Sequence, residues 1–543
     1  MQKGMQKTGK PHRSIRRVAG IIFLFFVLPI LACNYPQPVQ ETITVEQARQ
    51  TLVATLFANQ PPPGFPTPSQ PLPPEPGTPA PFPGLQTATP AEAAVVLASP
   101  TPPPASGSIP PFAYTALSGD TLEGVAGRFG VDPELIISPS GPVPSLGLIP
   151  PGYPLLIPNL ITETISYPDA LLPDSEVILS PSVAGFDVEG FIDSAGGFLS
   201  QYEDTVDEET LSGAQVVQRV ALETSTNPRL LLAFLEFQSG WVYGQPAPSS
   251  DLEHPLGFYV DGYRGLYKEL SLAAKQINIP YYAWRQGTLT EIRFPEYSGS
   301  YRLAPQLNPG SIALQYLFSR FYKEDRWRQI LYNPGEFLKL YTVMYGDPWE
   351  RAASVEPLFP PGLEQPSFEL PFLPGQAWSL TGGPHLSWNT GTPRGALDFA
   401  PVTGERPCKV SIAWATSTSS GVIAHADHNA VVLDMDGDGF EGTGWTVLYY
   451  HISESEHIVP GTWVETDTDL GHPSCEGGRT TGTHVHIARR YNGEWLPAGY
   501  PLPWTLSGWQ VVPGEKSYEG YLVKGDSIVT ASPSGKRSSL IMR

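Results

Sequence analysis

The chain has 543 residues, enough for about three or four domains at ~150 residues each. It carries 61 prolines, only 16% charged residues against a usual ~25%, and a formal charge of −20 from 33 basic and 53 acidic side chains. That balance gives no footprint for nucleic acid, three cysteines exclude a disulfide-dense scaffold or a tetra-cysteine zinc finger, and a single long apolar run excludes a polytopic membrane protein.

Lys3, Lys7, Lys10, Arg13, Arg16 and Arg17 precede an apolar run from Val18 to Ala32. The run is too short for a spanning helix, which needs about 20 residues, and suits the core of an export signal over residues 1–32. It ends Ile30-Leu31-Ala32-Cys33, which resembles the lipobox of bacterial lipoproteins. The resemblance implies that Cys33 is lipidated and anchors the protein to the outer side of the cell membrane, where two acyl chains hold far better than one. An ordinary signal peptide before an incidental cysteine is the alternative. Export leaves Cys408 and Cys475 as an even pair in an oxidising compartment, either bridged or as two separate buried thiols.

After a short segment, residues 33–60, proline supplies 19 of the 51 positions from Pro61 to Pro111, and Lys and Arg are absent. Such a stretch cannot bury enough apolar surface to offset its ordering entropy. It reads as an extended spacer reaching up to about 160 Å at ~3.1 Å per residue.

In residues 112–160, Asp120 or Thr121 can cap a helix carrying Leu122, Val125, Ala126 and Phe129 on one face, flanked by short strands at Tyr114 and at Leu155–Ile157. The run Ser118-Gly119-Asp120-Thr121-Leu122, then Phe129-Gly130-Val131 and Ile149-Pro150-Pro151-Gly152-Tyr153, resembles the LysM domain. That resemblance implies a βααβ module binding the glycan of peptidoglycan. A Pro/Ser/Gly-rich stretch from Ser138 to Leu146 stands where that family carries the end of its second helix.

Residues 161–355 read as mainly helical. Asn227-Pro228 can open a helix presenting Leu231, Phe234, Leu235 and Gln238. With Gly265-Leu266-Tyr267 further on, the region faintly resembles lysozyme-like lytic transglycosylases. Gln238 stands before Ser239 where those enzymes place a catalytic glutamate, and Glu236 lies about 200° round the helix, so a non-catalytic domain is expected. A second proline-rich joint, residues 356–375, precedes the C-terminal region.

Eight of the ten histidines fall between His385 and His486, where an even scatter would leave about two. Thr483-His484-Val485-His486-Ile487 alternates like a strand and puts both imidazoles on one face. Gly382-Gly383-Pro384-His385 is followed thirteen positions later by Asp398 in Ala396-Leu397-Asp398-Phe399, and Tyr449-Tyr450-His451-Ile452 ends a Val/Leu-rich strand pattern. Together these resemble the β-lytic branch of peptidase family M23. The commoner branch has its first histidine four before the aspartate, and that place is Arg394 here.

The resemblance implies a mainly antiparallel β peptidase domain over residues 376–505, with one zinc ion held by His385, Asp398 and His486. His451 and His484 would be catalytic, flanking the nucleophile and the developing oxyanion. His425, His428, His457 and His472 match nothing and read as structural. Asp434, Asp436 and Asp438 alternate with glycine like the opening of a calcium loop, but Trp445 occupies the position of the EF-hand's last ligand. A partial calcium site and an acidic hairpin turn both remain open. Residues 506–543 read as an extension without function. The whole is a multidomain chain: a LysM module, a helical lysozyme-like middle domain and an M23 peptidase domain. It is expected to cut peptide bonds in peptidoglycan stems or crossbridges, the alternative being a non-catalytic peptidoglycan-binding scaffold or hydrolase activator.

Overall fold

The computed structural model describes residues 110–162, 167–295 and 300–543. The export signal, Cys33 and nearly all of the first proline-rich stretch lie outside the described residues. Among the described residues, no helix is long and apolar enough to cross a membrane.

Phe112–Thr115 (β1) and Pro154–Ile157 (β2) pair antiparallel, with Phe112 opposite Ile157. Between them the Thr121 side chain accepts from Gly124 N–H and starts the helix Leu122–Phe129 (α1), which Gly130 closes in the left-handed conformation. Val125, Ala126 and Phe129 pack on Tyr114, Leu155 and Ile157. The expected second helix is a single 3₁₀ turn, Pro133–Leu135. Pro139, Pro142 and Pro144 follow it, and proline removes the N–H that a helix interior needs.

In the next region the short helix Val188–Ala195 precedes a hairpin, Glu203–Val206 (β3) and Glu209–Ser212 (β4). Ser212 and Gln215 form a capping box that starts the helix Gly213–Thr224 (α2). Asn227 caps Pro228–Ser239 (α3) through Arg229 N–H, and Leu231, Phe234 and Leu235 on that helix are fully buried. Leu266–Arg285 (α4) and Pro309–Ser319 (α5) pack against each other at the centre of this layer.

The C-terminal region is a nine-stranded antiparallel sheet. Its strands are Ala377–Leu386 (β5), Arg394–Pro401 (β6), Gly421–Asp427 (β7), Ala430–Asp434 (β8), Trp445–Tyr450 (β9), Trp463–Val464 (β10), Val485–Tyr491 (β11), Glu494–Trp495 (β12) and Leu540–Met542 (β13). They run β10-β7-β8-β9-β11-β6-β5-β13, with β12 on β11.

Strand periodicity divides the sheet into two faces. On one, Leu397, Phe399, Val431, Leu433, Val447, Tyr449, Val485 and Ile487 form an apolar core with Trp378 and Trp504. Each aliphatic side chain buried there contributes about 1.5–3 kcal/mol. On the other, Ala396, Ala430, Val432, Leu448 and Ala488 belong to the core of the helical layer. The small alanines let the helices approach the sheet closely, so helices and sheet share one continuous interior.

Residues 506–543 are not a free extension. Most of them complete a four-stranded meander, and the last residues form β13, with Leu540 opposite Ser379 on β5.

Candidate metal centre

One row of cross-strand partners carries the site: Tyr450 on β9 pairs with His486 on β11, His486 with Asp398 on β6, and Asp398 with Gly382 on β5. The row lies on the helix-covered face, in step with Leu448, Ala488 and Ala396. Gly382 is required there, because a Cβ at that position would meet Asp398 Oδ2 at 2.3 Å. Register shifts between Gly382 and Leu386 bring His385 back beside Asp398.

His385 Nε2, Asp398 Oδ1 and His486 Nδ1 converge. The nitrogens are 3.0 Å apart, and each stands 3.3 Å from the carboxylate oxygen. Three donors about 2.0–2.1 Å from one tetrahedral ion would be about 3.3 Å apart, so the three atoms already stand at the edge lengths of such a site. The opposite ring nitrogens are committed: His385 Nδ1 donates to Gly383 O at 2.9 Å and His486 Nε2 to Ser387 O at 3.0 Å. Two lone pairs therefore face each other beside Asp398 Oδ1, which is buried without a hydrogen-bond donor. A cation relieves that arrangement, and these residues fit one.

The electrostatics agree. Burial works against the Asp398 charge, yet the imidazoles of His385, His486 and His484 hold its carboxyl well below the usual range. Burial also works against a charged His385, but the Asp398 carboxylate outweighs it and raises that pKa. The pocket therefore attracts positive charge.

His484 and His451 complete the cluster. His484 immediately precedes β11 and its Nε2 lies 3.6 Å from Asp398 Oδ1, while Nδ1 donates to Gly482 O at 2.7 Å. His451 sits at the end of β9 with φ 65°, and its Nδ1 donates to Glu476 O at 2.9 Å. The two rings are 4.7 Å apart. Burial and the neighbouring His484 push the His451 imidazole down to about 4, so it is neutral at physiological pH. Cys408 and Cys475 form a disulfide, with Cα atoms 5.0 Å apart, that pins the chain directly before Glu476.

Two contributors had no signal in the sequence. Tyr518, on the meander, lies face-on against the His385 ring with centroids 4.2 Å apart, and its backbone exchanges hydrogen bonds with Gly383 and Pro384. The helical layer supplies a wall of the cleft, about 2090 Å³ in volume, through Asp207, Glu209, Arg219, Glu223 and Tyr267. Nothing local in those segments announces either role, since both depend on long-range packing.

The remaining sequence candidates lie apart from this cluster. Arg394, where the commoner branch has its histidine, donates to Gly514 O at 3.0 Å. His457 and His472 bond the carbonyls of Ile458 and Ala413. Gln238 bridges Leu256 O and the Tyr322 hydroxyl, and Glu236 turns inward to accept Val242 and Tyr243 N–H. Asp434, Asp436 and Asp438 do come together. Their carboxylates accept backbone N–H groups of Asp436, Gly439, Asp438 and Phe440, which are the bonds of a self-capped hairpin turn between β8 and β9.

Comparison with known proteins finds relatives for both layers. Residues 170–358 match the family model described as LasA, N-terminal domain. The chain is 27% identical over 293 residues to Protease LasA of Pseudomonas aeruginosa, a match spanning 50% of this chain and 64% of that protein. It is also 27% identical over 160 residues to the Beta-lytic metalloendopeptidase of Achromobacter lyticus, covering 28% of this chain and 39% of the relative. A solved structure, the M23 metalloprotease pseudoalterin from the deep sea, aligns at 23% identity over 31% of this chain and 96% of its own, with a TM-score of 0.27. The C-terminal region is similar to M23-type metallopeptidases, and the helical layer to the domain described as LasA, N-terminal domain.

Proposed function

We propose that the chain is a zinc metalloendopeptidase that hydrolyses peptide bonds in peptidoglycan stems or crossbridges. The observation that carries this reading is the convergence of His385 Nε2, Asp398 Oδ1 and His486 Nδ1 with lone pairs and one negative charge directed at a common point. Relatives named as a protease and a metalloendopeptidase support it. Lipidation at Cys33 and glycan binding by residues 112–160 would hold the enzyme at the cell wall.

Zinc, when bound, supplies Lewis acidity and lowers the pKa of its water toward ~7. The chain's own residues supply the rest. The carbonyls of Gly383 and Ser387 fix the tautomers of His385 and His486, so that each presents a lone pair. Those of Gly482 and Glu476 do the same for His484 and His451, leaving each Nε2 free on the cleft side. One imidazole accepts the proton lost by the attacking water. The imidazolium so formed donates to the oxyanion and finally passes the proton to the leaving amine nitrogen, while the other imidazole accepts a hydrogen bond from the attacking water and orients it.

The test is incubation of the full chain with peptidoglycans of known crosslink chemistry, read by mass spectrometry beside His486→Ala and a chelated sample. New peptide termini that vanish in both controls establish the activity and identify the bond. Bound zinc with no cleavage of any peptidoglycan sinks the substrate assignment, and absence of both zinc and cleavage moves the reading to a non-catalytic scaffold.

A further inference from the structure

A further group of metal-ligating side chains faces the same cleft: His425, Asp427 and His428. Its placement depends on an irregularity in β7. Ile423 pairs with Leu433, and both lie in the apolar core of the sheet's inner face. The register then slips by one residue, so that His425 pairs with Val432 and Asp427 with Ala430. Val432 and Ala430 belong to the opposite, helix-covered face. With regular alternation His425 would follow Ile423 into the apolar core. The bulge turns it and Asp427 toward the cleft, the way bulges re-aim side chains near functional sites. His428 comes next, in a two-residue turn where it and Asn429 have φ of 48° and 62°.

Two imidazoles converge here on one carboxylate oxygen. His425 Nε2 is 2.7 Å and His428 Nδ1 2.6 Å from Asp427 Oδ1. The residue types repeat those of His385, Asp398 and His486, but here the nitrogens stand at hydrogen-bond distance from the carboxylate oxygen rather than 3.3 Å from it. The other nitrogen of His428, Nε2, faces Glu209 Oε2 at 3.3 Å. Glu209 belongs to the helical layer, directly after the Asp207-Glu208 turn of the β3–β4 hairpin. A ligating histidine almost always gives its second N–H to a carboxylate or carbonyl, and Glu209 fills that place from a different part of the chain.

We propose that His425, Asp427 and His428 form a second divalent-metal site, with Glu209 as the carboxylate that orients His428. The bound ion clamps the β3–β4 hairpin of the helical layer to the β7–β8 turn at the rim of the cleft. Two imidazoles and one carboxylate select zinc or a similar transition metal over calcium or magnesium. A tetrahedral ion needs donors about 3.3 Å apart, so the three atoms must open by roughly 0.6 Å. Partly exposed side chains at a hairpin end can do this by small rotamer changes.

The test is the zinc content of the full chain after saturation and removal of loose metal. The proposal expects about two ions per chain. The His425→Ala/His428→Ala double variant keeps about one, and so does Asp427→Asn, a near-isosteric change that leaves the hairpin turn intact. His486→Ala also keeps about one, which separates this site from that of the proposed peptidase, since either can be lost alone. Glu209→Gln retains the second ion but holds it about 10-fold more weakly in competition with a chromophoric chelator. A full chain that binds a single ion, lost in His486→Ala and unaffected by the other changes, overturns the proposal. So does a second ion that survives both the double variant and Asp427→Asn.

Discussion

Arg285, the last residue of α4, and Glu494, the first residue of β12, meet in a buried fork, with Nε 2.8 Å from Oε1 and Nη2 2.9 Å from Oε2. The same guanidinium binds Asp174 Oδ2 at 3.0 Å and the Ser118 carbonyl, so one side chain joins the N-terminal module, the helical layer and the sheet. Tyr281, one turn earlier on α4, donates to Glu494 Oε2 at 2.8 Å. Because the face of the sheet that carries Asp398 and His486 is the face the helices cover, this contact also fixes the cleft wall. Arg285→Met would leave the Glu494 and Asp174 charges without their partner, and a loss of about 3–5 kcal/mol is expected in urea unfolding. Adding Glu494→Leu should recover part of that loss, because a packed apolar pair replaces an orphaned charge. A double variant no more stable than the single one would show that the fork is not what joins the layers.

His451 and His484 are expected to serve the reaction without holding the ion. Each has one nitrogen on a backbone carbonyl and the other free. His451→Ala and His484→Ala should therefore keep the metal bound by His385, Asp398 and His486 while kcat falls about 10²–10⁴-fold. Parallel zinc analysis and kinetics on one preparation check this. Loss of that ion in either variant would make the residue a ligand instead.

The disulfide offers a separate handle on the same geometry. Cys408 and Cys475 enclose a separation of 67 residues, for which the chain-entropy estimate is about 4 kcal/mol of stabilisation. Glu476, the next residue, holds His451 Nδ1 through its carbonyl, and Ser474, the preceding one, donates twice to His451 O. Reduction or Cys475→Ser should thus lower both the melting temperature and the activity, and Cys408→Ser should match it. Full activity at low temperature after verified reduction would show that the loop keeps its shape unaided.

The candidate site was legible through the resemblance of its motifs, and the convergence of its residues followed because they fall on strands whose alternation decides the face. His484 and His486 are two apart, and Asp398 lies in a run that reads directly as a strand. The capped helices at Thr121 and Asn227 were equally readable, since capping is local. The second helix of the N-terminal module was not, because the prolines after Leu135 override a pattern inferred from resemblance. Tyr518 stayed hidden because its approach to His385 rests on backbone hydrogen bonds to Gly383 and Pro384, between segments about 135 residues apart. The turning of His425 toward the cleft was likewise invisible, since it follows from a register shift that exists only once Ile423 has paired with Leu433.

Glu236 gives the helical layer a pH dependence of its own. Burial pushes its carboxyl up to about 7 from an ordinary 4.5, although the N–H groups of Val242 and Tyr243 oppose the shift. Between those two values the folded chain holds a proton that the unfolded chain has released. Stability from this group is therefore complete below about 4.5, declines as pH rises toward 7, and is lost above it. Glu236→Gln keeps an acceptor oxygen for both N–H groups and cannot ionise. Relative to the parent it should be close to neutral at pH 4.5 and more stable at pH 8, by at most about 3 kcal/mol. Chemical denaturation of both proteins across that range measures the difference directly. A constant gap between the two curves would mean that Glu236 does not take up a proton on folding, and that its carboxylate is better solvated than its burial implies.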